Sequence, residues 1–198
     1  MTAIYLIRHA ETALNASRVV QFPDTPLNHR GQWQADRLAT RLLSDGVTHV
    51  ASSDLVRARA TAERIRDATQ APLHLDERLR ERDLGDLRGR PYAEVRGQVF
   101  GEGFDPPRGE TWDTFTQRVD LVWGWVEQFV HSLEGVLALV THGLVCQALA
   151  RRHLAVGEHP HPLRFPNATV TIIKASPPWR VEVLASDTHL RMCRTEEP

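Results

Sequence analysis

Cysteine is scarce in this chain: there are two in 198 residues, Cys146 in an apolar helical segment and Cys193 in a polar tail. Neither has the spacing of a zinc ligand, and such a pair does not make a disulfide framework, so both are expected as free thiols. Long hydrophobic runs are also missing. No apolar stretch approaches the roughly 18 residues of a membrane span, and Arg8 interrupts the first one before it could form the core of a secretion signal. Nor does one sign of charge dominate. The 24 basic and 25 acidic side chains, with no basic block, leave no electrostatic footprint for nucleic acid or an anionic membrane. Repeats and low-complexity segments are absent. These exclusions lead to one expected domain, residues 1–198, cytoplasmic, with small molecules as partners.

What is present has a βαβ rhythm. Ala3–Ile7 is a short apolar run of β-formers that suits a strand buried on both faces, and it ends at Arg8-His9. Asn28 caps an expected helix to Asp45, with Leu38, Leu42 and Leu43 on its apolar face and Gly46 at its end. A strand Thr48–Ala51 follows, then a helix capped by Asp54 and running to Ala68, then an extended piece Pro72–Leu75. From Glu77 to Arg108 glycines and the Pro106-Pro107 pair break the pattern, which predicts a long, partly helical insertion. Thr111 caps a long helix with Phe115, Val119, Val122, Trp123, Val126 and Val130 at core spacing. Val136–Val140 is a second fully apolar strand, ending at Thr141-His142-Gly143 and followed by a helix to His153. Thr169–Lys174 and Trp179–Leu184 read as a hairpin through Pro177-Pro178.

Alternating strands and helices predict a three-layer α/β/α sandwich with a mainly parallel sheet, to which the last hairpin adds an antiparallel edge. Ligands of such sheets bind at the carboxyl ends of strands. Arg8-His9 and Thr141-His142 both stand at such ends, so two histidines distant in sequence are expected on one rim.

Further motifs follow in order: Ser52-Ser53-Asp54-Leu55 with Arg57-Ala58 and Thr61-Ala62, Glu81-Arg82-Asp83-Leu84-Gly85, Gly109-Glu110-Thr111 and Val140-Thr141-His142-Gly143. With Arg8-His9-Ala10-Glu11-Thr12, this series resembles the histidine phosphatase, or phosphoglycerate mutase-like, superfamily from Ile4 to Asn167. The resemblance implies phosphoryl transfer through a phosphohistidine on His9, with Glu81 as general acid and Glu110 as the alternative acid. Arg8, Arg57 and His142 would then hold the phosphoryl group. The chemistry fits those residue types: the charge in flight lies on phosphoryl oxygens, a guanidinium offers planar paired donors that stay charged, and a neutral imidazole is a competent nucleophile. A hydrogen bond from the second ring nitrogen of His9 to a backbone carbonyl would fix its tautomer. Asn15, Gln21 and Gly143 match positions that contact the phosphoryl group or bracket the entrance, and Asn167 resembles a position near the pocket.

Two positions depart from the family pattern. Ala10 replaces the commonest glycine, which is harmless unless the backbone there is left-handed. Leu144 replaces a small residue and is expected to narrow the pocket floor. No metal is expected, although His153, His159 and His161 form a histidine-rich segment. Length favours a phosphatase acting on a small phosphorylated metabolite over a mutase primed by 2,3-bisphosphoglycerate, because there is little room for the insertions that cover a mutase pocket; a catalytically lapsed phosphate-binding module is a further alternative. Arg82, Arg88, Arg90 and Arg108 in the insertion hint at an acidic or multiply phosphorylated substrate. An apolar edge strand would allow a homodimer.

Overall fold

The apolar runs and helical repeats become, in chain order, β1 (Ala3–Arg8), α1 (Ala13–Ala16), α2 (His29–Ser44), β2 (Val47–Ser52), α3 (Val56–Thr69), β3 (Leu73–Leu75), α4 (Tyr92–Val99), α5 (Trp112–His131), β4 (Val136–Thr141), α6 (Gly143–Arg152), β5 (Val170–Lys174) and β6 (Val181–Ser186). The computed structural model describes residues 2–99, 103–158 and 164–191. The six strands form one sheet in the order β3-β2-β4-β1-β5-β6. β1, β2, β3 and β4 run parallel, and β5 pairs antiparallel with β1 and with β6. β4 is buried along its whole length, as a central strand covered on both faces must be.

One face packs Leu38 and Leu42 of α2 and Ala58, Ala62 and Ile65 of α3 against Ile7, Val50 and Val140. The other packs the predicted stripe of α5, from Phe115 to Val130, and Val145 and Leu149 of α6 against Leu6, Leu137 and Leu139. The result is the expected three-layer α/β/α sandwich. Each fully buried aliphatic or aromatic side chain of that stripe contributes about 1.5–3 kcal/mol, so α5 is anchored by its own periodicity. Asn28 and Thr111 cap α2 and α5 as predicted, accepting from Gly31 N at 2.7 Å and Thr114 N at 3.1 Å.

Beside shifts of one or two residues at other element ends, two boundaries differ from the sequence reading for an identifiable reason. Asp54 does not cap α3, whose N-cap is Leu55 with no side-chain hydrogen bond. The Asp54 carboxylate instead forms a two-pronged pair with Arg80, with Nε to Oδ1 at 2.7 Å, and a charge-assisted pair outweighs a cap. The second hairpin strand starts at Val181 because Trp179 takes a left-handed backbone (φ 54°) and turns its buried indole edge-on to Trp123, with centroids 5.3 Å apart. The insertion is partly helical, as expected: it carries α4 and 3-10 turns at Glu77–Leu79 and Gly85–Leu87. Its two ends touch at Gly85, where φ is 50° and a Cβ would lie 2.1 Å from the Pro107 carbonyl oxygen, so only glycine fits.

Near the sheet edge, the ring of buried His189 meets Arg41, with Nη1 to Nδ1 at 3.2 Å. Burial first, then the Arg41 charge, pushes its pKa from the ordinary 6.5 down to about 4. Between these values the unfolded chain binds a proton that the folded chain does not, so stability falls as pH drops from about 6.5 to about 4. His189→Gln should flatten the melting temperature against pH across that window; an unaltered slope would remove His189 from the account.

Candidate active site

Three neighbouring strands end at one rim and are stitched together there. His9 N donates to Thr141 O at 2.9 Å, and Ser53 N donates to Val140 O at 3.0 Å. The ends of β1, β4 and β2 thus deliver Arg8-His9, Thr141-His142 and Ser52-Ser53 side by side, as strand order β2-β4-β1 requires. The imidazoles of His9 and His142 lie 5.1 Å apart between centroids, and both are fully buried.

His9 Nδ1 is 2.7 Å from the carbonyl oxygen of Ala10. A carbonyl only accepts, so Nδ1 carries the hydrogen and Nε2 keeps its lone pair. This is the tautomer-fixing bond expected from the sequence, and its partner is the adjacent residue. Burial, reinforced by the charges of Arg57 and Arg8, holds the His9 pKa well below the ordinary imidazole value, so the ring is neutral at pH 7. Ala10 is buried, does not adopt a left-handed backbone, and donates its N–H to Thr61 Oγ1 at 3.1 Å, so the missing glycine costs nothing here.

His142 carries its hydrogen on the same nitrogen, set by a different partner. Ser53 Oγ accepts from Leu55 N at 3.2 Å and lies 2.9 Å from His142 Nε2; with the hydroxyl hydrogen directed at that nitrogen, Nε2 is the acceptor. His142 Nδ1 therefore carries a proton, and it is buried without a protein acceptor. Arg8 Nε and Arg57 Nε beside it share that condition, as do Arg82 Nη1 over the Trp112 ring and His189 Nε2 near the sheet edge. Arg8 is anchored by Nη1 to Phe165 O at 2.7 Å, and Arg57, on α3, by Nη1 to Phe22 O at 3.1 Å. Arg57 does not pair with Asp54, which is taken by Arg80. Its burial lowers its pKa to about 10, still charged at neutral pH.

Glu81 faces this cluster. Its Oε2 accepts from Leu144 N, in the first turn of α6, at 3.2 Å, and its Oε1 from Arg82 N at 3.1 Å. Gly143 lies between the groups: a Cβ there would sit 3.6 Å from Arg8 Cζ and 3.7 Å from Glu81 Oε2. Leu144, expected to narrow the floor, serves through its backbone. A cavity of about 350 Å³ is lined by Arg8, Arg57, Glu81, Gln21 and Tyr92 among others. The arrangement is a neutral imidazole with a bare nitrogen, three N–H donors without protein acceptors and a carboxylate beside them.

The remaining sequence candidates divide. Gln21 lines the cavity and accepts the Thr12 hydroxyl at 2.7 Å. Asn15 completes a capping box with Thr12 and accepts from Asn167 Nδ2 at 3.1 Å; the same amide reaches His9 O at 3.0 Å, so both asparagines brace the loop that carries His9. Glu110 is held bidentately by Arg118 at 2.8 and 2.7 Å, and this pair occupies its carboxylate. The arginines of the insertion do not form the expected free basic rim. Arg82 is buried over the Trp112 ring, Arg88 pairs with Asp83, Arg90 with Glu94 and Arg108 with Asp86. His153 pairs with Asp120 at 2.8 Å and stacks on Trp123, whereas His159, His161 and Cys193 lie outside the described residues. Cys146 is a buried free thiol, its pKa raised by burial. Among the described residues no three His, Cys, Asp or Glu side chains cluster as metal ligands, and no helix is long and apolar enough to cross a membrane.

Sequence reasoning passed over Ser53, Thr61 and Tyr92. The first two lie inside quoted motifs, and a hydroxyl directly after a strand end or facing the helix start was the available signal. Tyr92 had none, because the turn that brings α4 back to the pocket is set by tertiary contacts such as Tyr92 N to Arg18 O at 2.8 Å.

Fold and site together define an α/β protein with two histidines and two arginines gathered at the strand ends. The sequence pattern of the histidine phosphatase superfamily (branch 1) matches residues 4–187, and the chain belongs to that superfamily. It is 31% identical to the "Probable phosphoglycerate mutase GpmB" of Yersinia enterocolitica over 214 aligned positions, covering 100% of this chain and 99% of that protein. Among solved structures it resembles Bacillus stearothermophilus YhfR (30% identity, TM-score 0.80, 96% of this chain and 100% of that one). It also resembles a mycobacterial glucosyl-3-phosphoglycerate phosphatase in complex with VO3 (27%, TM-score 0.77, 93% and 99%) and the alpha-ribazole phosphatase of Shigella flexneri (26%, TM-score 0.76, 93% and 96%).

Removing the hydroxyl that orients His142 tests this geometry directly. Ser53→Ala should leave the fold intact and weaken the binding of inorganic phosphate about tenfold, the worth of one hydrogen bond to a charged group, as read by calorimetry. Unchanged affinity would show that Ser53 does not set the His142 tautomer.

Proposed function

We propose that this protein is a phosphomonoester hydrolase that works through a phosphohistidine on His9. The observation that carries the reading is the set of three buried N–H donors without protein acceptors, Arg8 Nε, Arg57 Nε and His142 Nδ1, around a histidine whose Nε2 is bare. An unpaired buried donor costs about 1–3 kcal/mol. An anion with several acceptor oxygens recovers that cost, and a phosphoryl group offers three such oxygens.

In the first step His9 Nε2 attacks phosphorus, the P–O bond to the alcohol breaks, and the Glu81 carboxyl gives its proton to the leaving oxygen. In the second, the Glu81 carboxylate takes a proton from water as that water attacks phosphorus. The P–N bond breaks, and phosphate and neutral His9 are released. Charge on the phosphoryl oxygens is met throughout by Arg8, Arg57 and His142. The substrate is a small phosphorylated metabolite, and no metal takes part. Solved relatives named as phosphatases favour water as the final acceptor. The Yersinia relative favours a second reading, in which 2,3-bisphosphoglycerate primes His9 and the phosphoryl group returns to a reoriented product.

Rapid quenching in alkali with labelled p-nitrophenyl phosphate, with chelator present, should trap a base-stable, acid-labile adduct on His9 that His9→Ala lacks. Glu81→Gln should slow phosphorylation by a poor alkoxide leaving group about 100-fold or more, and far less by nitrophenolate, which leaves without a proton. Label on another residue, or equal loss with both leaving groups, would overturn these roles; label passed to phosphoglycerate rather than to phosphate would select the mutase reading.

A further inference from the structure

The arginines expected to read the rest of the substrate are internally paired, but others are not. A second cavity, of about 340 Å³, adjoins the first and shares Arg8 and Tyr92 with it. Its lining adds Arg18, Gly143, Gln147 and Arg164. It therefore contains three guanidinium groups and no carboxylate, whereas the first cavity sets Glu81 and Asp83 among Arg8, Arg57, Arg80, Arg82 and Arg88. Arg18 and Arg164 are exposed, and neither forms an ion pair with an acidic side chain among the described residues. Their backbones are held. Arg18 adopts φ 57°, fixed by its N–H to Asn15 O at 3.1 Å and by Tyr92 N to its own carbonyl at 2.8 Å. Arg164 adjoins Phe165, whose carbonyl accepts from Arg8 Nη1 at 2.7 Å.

We propose that Arg18 and Arg164 form a second anion subsite, so that the substrate is a phosphomonoester carrying a further carboxylate or phosphate. The proposal rests on the phosphoryl site being the one described above, since Arg8 stands in both cavities and fixes the direction in which the substrate's remaining part extends. Its phosphoryl group meets Arg8, Arg57 and His142, and the second anion lies past Arg8 and Tyr92 between two guanidinium groups. Paired donors on a planar cation suit either anion. The lack of a carboxylate also sets orientation, because a second anion placed in the first cavity would face Glu81 and Asp83, and Arg80, Arg82 and Arg88 there are already paired with Asp54, Asp105 and Asp83.

Calorimetry with non-hydrolysable alkylphosphonates reads this without turnover. The series is neutral alkylphosphonates of two to five carbons, the same chains ending in carboxylate, and the same chains ending in a second phosphonate. At low ionic strength at least one anion-bearing member should bind about tenfold or more tightly than its neutral counterpart, and salt should erode the difference. The Arg18→Gln/Arg164→Gln double variant should lose that preference, while Arg108→Gln, whose parent is paired with Asp86, should keep it. The two anion-bearing arms show which group the subsite takes. Equal affinity of neutral and anion-bearing members at every length, or a preference that survives the double substitution, would overturn the subsite. A chain that shows the preference yet forms no adduct on His9 would instead overturn the phosphohistidine reading.

Discussion

Everything at this site depends on keeping one imidazole neutral, with its proton on a chosen nitrogen, amid guanidinium groups. The bond from His9 Nδ1 to Ala10 O does the choosing. Burial and the Arg8 and Arg57 charges do the rest, since both disfavour a second proton on His9. On the proposed reading the same cations serve two ends: they keep His9 unprotonated before a phosphoryl group arrives and neutralise its oxygens once it is there. A carbonyl partner is what permits this. A carboxylate against Nδ1 would raise the pKa and favour imidazolium, whereas a carbonyl orients the ring with little added charge.

The carboxylate opposite has to be placed as firmly, and its chain segment lacks a sheet to hold it. The scaffold comes from α5. Arg118 donates to the carbonyls of Arg78 and Arg80, at 2.7 and 2.8 Å, and grips Glu110, whose own carbonyl accepts from Arg82 Nε at 3.0 Å. Thr141 Oγ1 adds a bond to Leu79 O at 2.7 Å from the end of β4. Glu81 is thus bracketed on both sides by residues tied to the core, while Leu144 N at the start of α6 meets the carboxylate itself. Glu110, matched from sequence as an alternative acid, contributes by fixing backbone.

The parts of this molecule that could be read from sequence are those whose position follows from local periodicity. The fully apolar runs of β1 and β4, the α5 stripe and the caps at Asn28 and Thr111 are short-range signals, and Arg8-His9 and Thr141-His142 inherit their location from strand ends. What could not be read depends on partners distant in the chain. Asp54 has the composition of a cap but finds Arg80, 26 residues on. The four arginines of the insertion look free in one dimension, and each has found a carboxylate, a carbonyl or a ring in three. Tyr92 enters the pocket only because a backbone hydrogen bond folds α4 back onto Arg18.

That difference has a physical source. A strand or a capped helix resolves its hydrogen bonds within a few residues, so its sequence carries its own solution. A charged side chain in a loop does not, and burial makes it take whichever counter-charge or acceptor the tertiary fold supplies. Five buried side-chain nitrogens among the described residues lack a protein partner, and three of them, on Arg8, Arg57 and His142, belong to strand-end or helix residues gathered around His9. Structural burial normally removes such groups, because each weighs against a net stability of only about 5–15 kcal/mol. On the proposed reading, the three around a neutral histidine are a functional cost, which a bound anion offsets, so that recognition of a phosphoryl group is part of what completes the folded core.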